Sequence, residues 1–82
     1  MNTETLIKAA IIESQAVHAL QLAADDTFTS IGKIALQHMA SAHIRAVSVL
    51  TAEPQVMVRA RVMASARDMK PLDQYRPRMV SA

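Results

Sequence analysis

Cysteine and tryptophan are absent from this chain, Gly32 is its one glycine, and Phe28 and Tyr75 are its only aromatic residues. The lack of cysteine excludes a disulfide scaffold and a thiolate metal site, and it fits a reducing compartment, so a cytoplasmic location is expected. With one glycine there is no glycine-rich phosphate loop. Two rings cannot furnish a row of stacking platforms for single-stranded nucleic acid. No apolar run exceeds the four residues Ala9 to Ile12, so no segment is long enough to span a bilayer. The first residues, Met1 to Glu4, are polar and carry an acid, unlike a secretory signal.

What is there is small and aliphatic. Of 82 residues, 51% are hydrophobic, and alanine alone accounts for 15. A chain of this length makes one domain, and a core built on alanine methyls is weak. Such a chain is expected to complete its burial with a partner or with copies of itself. The net charge of +2 is unevenly spread. Residues 1–52 carry three basic and four acidic side chains, and residues 53–82 carry six and three.

The spacing predicts an all-α fold of three helices, about 4–24, 28–50 and 52–69, in a single helical domain over 1–70, with an extended basic tail over 71–82. An elongated helical hairpin is the variant arrangement. In the first segment Leu6, Ala9, Ala10, Ala16, Val17, Leu20, Ala23 and Ala24 recur at helical spacing. Asp25, Asp26 and Thr27 interrupt it and offer capping oxygens. In the second, Ser30, Lys33, Gln37, Ser41, Arg45 and Ser48 form one narrow polar stripe and nearly all else is apolar, the pattern of a buried helix. An 82-residue chain has only two other helices to bury it. Self-association through Ile31, Gly32, Ile34, Ala35, Met39, Ala42, Ala46 and Val49 is therefore expected, with Gly32 either simply tolerated or allowing close approach of another helix. Before the third segment, Thr51 can cap and Pro54 suits a first turn; alternatively the proline bends one long helix. Val58, Val62, Ala66 and Met69 form its stripe, and Lys70-Pro71 ends it.

No catalytic constellation is present, and the chain is not expected to be an enzyme. His38 and His43 are five residues apart and His18 lies on another helix, so no ligand pair at helical spacing exists and neither a metal nor a cofactor is expected. Glu13 interrupts the apolar stripe of the first helix, as a boundary carboxylate or as one paired to an arginine of another subunit. Arg59, Arg61, Arg67, Lys70, Arg76 and Arg78 are the candidate basic surface. They could meet an acidic protein partner; nucleic acid is the less favoured partner because aromatics and a helix-turn-helix pattern are lacking.

Three stretches resemble the R-body, or killing-trait, structural proteins. Leu6-Ile7-Lys8-Ala9-Ala10 is similar to that family's start, Thr29-Ser30-Ile31-Gly32 to its Met-Gly segment, and Ala52-Glu53-Pro54-Gln55-Val56-Met57-Val58 stands where its glutamine-rich element falls. Glu53 and Pro54 replace two glutamines, Asp26-Thr27-Phe28-Thr29 replaces a Pro-Ala-Met-Ala stretch, and the final third is more basic than the family's. The resemblance covers residues 6–60. It implies a non-enzymatic subunit that assembles with itself and with paralogous subunits into coiled ribbons, which extend at low pH and disrupt membranes. Glu13, His18, His38 and His43 are the candidate pH-responsive groups, because protonating the three histidines takes the formal charge from +2 to about +5 at a pH near 6.

Overall fold

The computed structural model describes residues 2–68. Three helices are formed: α1 over Thr3–Ala23, α2 over Ser30–Thr51 and α3 over Gln55–Asp68. The all-α expectation holds. Met69, the tail 71–82 and its boundary at residue 70 lie outside the described residues.

Local chemistry sets the boundaries. Asn2 caps α1, its side-chain oxygen accepting from the Thr5 amide at 2.8 Å. The α1–α2 turn is held by Asp25, whose Oδ1 accepts from the Thr27 amide at 2.9 Å. Thr29 caps α2 by accepting from the Gly32 amide at 3.0 Å, so α2 begins at Ser30.

The α2–α3 junction differs from the sequence expectation. Thr51 is the last residue of α2, and its hydroxyl donates back to the Val47 carbonyl at 2.8 Å; it does not cap α3. Ala52 then takes the left-handed conformation at φ 57°, which breaks the helix before Pro54 is reached. The Pro54 carbonyl accepts from the Met57 and Val58 amides at 3.0 and 3.2 Å, opening α3 at Gln55. Segments two and three are thus separate helices, not one bent at the proline.

Short connections fold α2 back along α1, and α3 packs against both. The core is Ala16 and Val17 of α1, Ile44 and Val47 of α2, and Val58 and Val62 of α3, with Ile12, Leu20 and Ala66 at its edge. Val58 and Val62 fall where the α3 stripe was predicted. The α1 prediction is only partly met. Ala9, Ala16, Val17, Ala19 and Ala23 are buried, but Leu6, Ala10 and Ala24 are exposed, because the face that meets α2 is the alanine-lined one, where backbones approach closely.

Candidate interaction surfaces

The inward face of α2 is short. Ala40, Ile44 and Val47 point inward and are buried. The polar stripe is split: Ser30, Gln37 and Arg45 are exposed, whereas Lys33, Ser41 and Ser48 are half-buried, and Ser48 donates to the Glu53 carbonyl in the α2–α3 link. Beside these, α2 turns a run of apolar residues to solvent. Ile31 and Val49 are each 81% exposed, Ile34 and Met39 about half, and Ala35 and Ala42 are exposed as well. Gly32 and Ala46 are half-buried. The two other helices bury one side of α2 and leave apolar residues bare on the other.

Gly32 has a local role. A Cβ placed on it would stand 3.3 Å from the Thr29 hydroxyl and 3.7 Å from the Phe28 ring, so its missing side chain gives room to the cap of its own helix.

The other helices carry exposed hydrophobes too: Leu6, Ile7 and Ile11 on α1, and Val56, Met57 and Met63 on α3. Among the described residues, eleven large hydrophobic side chains are exposed, and only Val17, Ile44, Val47, Val58 and Val62 are buried.

The strongest polar feature is a guanidinium held by two carboxylates. Arg61 of α3 donates through Nε and Nη2 to Glu13 of α1 at 2.9 and 2.7 Å. Through Nη1 and Nη2 it donates to Glu53 of the α2–α3 link at 2.8 and 2.9 Å. Paired N–H groups meeting both oxygens of a carboxylate is the geometry that makes arginine a better clamp than lysine. The hydrogen bonds from Arg61 hold the Glu53 carboxyl well below the usual range, at about 2. The two carboxylates in turn raise the arginine further above its ordinary value, Glu53 contributing most. The clamp fixes α3 and its link to α1, with Gln21 Nε2 donating to the Ala66 carbonyl at 3.5 Å further along.

Glu13 is a half-buried carboxylate at the edge of the core, one of the two readings the sequence offered. It is paired within its own chain, not with an arginine of another subunit. Arg61 is occupied and does not belong to a free basic surface. Arg59 and Arg67 do face solvent, Arg67 lying 3.9 Å from Asp68; Lys70, Arg76 and Arg78 lie outside the described residues. His18 and His38 are exposed and His43 is half-buried. They are not brought together. Among the described residues no group of three His, Cys, Asp or Glu side chains could hold a metal, and no helix is long and apolar enough to cross a membrane.

Sequence reasoning missed the clamp, although its signals were present. Glu13 is the one acid within the α1 apolar stripe, and Glu53 stands eight residues ahead of Arg61. Compared with known proteins, the chain matches no family model, no curated protein and no solved structure. The R-body resemblance therefore rests on the residues quoted for it.

Proposed function

We propose that this chain is a non-enzymatic helical subunit that works by assembling with copies of itself. One observation carries the reading: α2 presents apolar side chains to solvent along its length, with Ile31 and Val49 at 81% exposure, while half of its polar stripe is covered. A helix in a stable monomer is oriented the other way. Contiguous exposed apolar surface on a small domain marks an interaction face.

The exposed hydrophobes of α1 and α3 extend the argument. A single self-complementary face closes a dimer, whereas a second, different face allows growth into a ring or filament. Leu6, Ile7 and Ile11 of α1, and Val56 and Met63 of α3, offer such further contacts. This is what a ribbon subunit of the R-body kind requires, with paralogous subunits as alternative occupants of the same faces. An acid response is the finer part of the proposal. His38 and His43 lie on α2 beside the apolar positions, where protonation adds charge next to Arg45.

Salt separates this reading from phosphate binding by the basic residues. Assembly driven by apolar contact persists or strengthens in sulfate, whereas nucleic-acid binding falls steeply as salt rises. Light scattering of the full chain across protein concentration, at low and high sulfate, is the test. Growth of larger species that sulfate promotes supports assembly. Scattering that stays at the monomer value under every condition overturns it.

A further inference from the structure

Within the exposed face of α2, Gly32, Ala35, Met39, Ala42, Ala46 and Val49 are spaced alternately by three and four residues. That is the 3.5-residue period of helices that wind along one another. None of the six is buried.

The order of sizes along this row is the informative part. Run antiparallel against an identical row, with the two residue numbers in each layer adding to about 81 in the alternating a-to-d pairing of such helices, Gly32 meets Val49, Ala35 meets Ala46, and Met39 meets Ala42. Each layer then occurs twice and always contains at least one small residue. In a parallel pairing Met39 faces Met39 and Val49 faces Val49, while Gly32 and Ala35 face only themselves and leave gaps. The Gly32 layer has an apolar wall of its own, since the Phe28 ring stands 3.7 Å from the position a Cβ would take and is 38% exposed. The Val49 side chain of a second copy would pack against this ring, not into the space at Gly32, which the Thr29 cap takes up.

The size of the contact fits a second copy as well. The row spans about 27 Å of helix, and a half-cylinder of that length and ~10 Å diameter has roughly 400 Å² of surface. Two copies would bury on the order of 850 Å², within the range of weak, concentration-dependent complexes.

We propose that a second copy of this chain covers the α2 face, antiparallel, about a two-fold axis passing between Met39 and Ala42. This deepens the self-assembly reading and rests on it. Ala35 and Ala46 form the central layers with Met39 and Ala42, Ile31, Leu36 and Leu50 flank them, and Ile34 lies a quarter turn outside the contact.

The absence of native cysteine makes the register directly measurable. Ala35→Cys and Ala46→Cys variants of the full chain, each checked for unchanged helicity, are mixed and mildly oxidised. The expected result is a disulfide between the two variants in several-fold excess over either homodimer, because two copies of residue 35 stand ~16 Å apart along the antiparallel pair, beyond the ~7 Å a disulfide can bridge. Efficient crosslinking of Ala35→Cys with itself shows a parallel pair and overturns the proposal. A random mixture of the three products shows collision only and overturns it too. Ala42→Glu should weaken dimerisation more than tenfold with the helical signal unchanged. Association that continues without the 35–46 crosslink rejects this register while leaving self-assembly standing. A monomer at every concentration removes both.

Discussion

Ile44 and Ile34 sit ten residues apart on α2 and carry the same side chain, so replacing each with alanine separates core from surface. Ile44 is 1% exposed and touches the cluster of Ala16, Val17, Val47, Val58 and Val62; Ile34 is 53% exposed. Removing a buried isoleucine to alanine loses its transfer energy and leaves a cavity, together about 2–5 kcal/mol. A domain of this size has a total stability of roughly 3–10 kcal/mol, so Ile44→Ala removes a large share of it. At about 4–8 °C per kcal/mol, the melting temperature falls by about 8 °C or more. Ile34→Ala should cost ~0.5 kcal/mol or less, as for a surface change, and shift the midpoint by a few degrees. The assay is thermal unfolding followed by far-ultraviolet circular dichroism at a concentration where the chain is monomeric. Equal losses for the two variants would refute the assignment of the inner and outer faces of α2.

The remaining predictions concern caps, the helix break and the clamp. Thr29→Ala removes the acceptor for the Gly32 amide and should cost about 1 kcal/mol by chemical denaturation. Ala52→Gly relieves a left-handed alanine and should stabilise by roughly 0.5–1 kcal/mol, read as a raised denaturation midpoint; a lowered midpoint would contradict the break at that residue. Glu53 has a depressed carboxyl in the folded chain, so its contribution is fully present above its unfolded value near 4.5 and is lost as pH falls toward about 2. The raised Arg61 contributes fully below its own unfolded value, so its share is lost only in strong alkali. Acid titration of unfolding should therefore show a loss of stability between pH ~4.5 and ~2 that shrinks in Glu53→Gln. An identical acid profile in that variant argues against the clamp.

The helices were legible in the sequence because period and punctuation agree. Val58 and Val62 mark their buried face four residues apart, and Asp25, Asp26 and Thr27 mark a turn. The helix break at Ala52 was not legible, because nothing about an alanine announces a left-handed conformation; Pro54 drew attention two residues too late. The orientation of α2 could not be read from the pattern for a physical reason. Its apolar residues surround most of the helix, so pattern alone cannot say which of them face inward. The Arg61 cluster was hidden since it joins residues 48 positions apart, a pairing that only the packing of α3 beside α1 creates. The face of α2 proposed for assembly was legible residue by residue, but its exposure was seen only once the other helices were in place.

Sedimentation velocity on the full-length chain at neutral pH, over a hundredfold range of concentration, tests the central claim most directly. The account predicts a sedimentation coefficient that rises with concentration as copies associate, and Ala42→Glu should hold it near the monomer value. A single monomeric species across the whole range, for a chain whose α2 face stays bare, would contradict it.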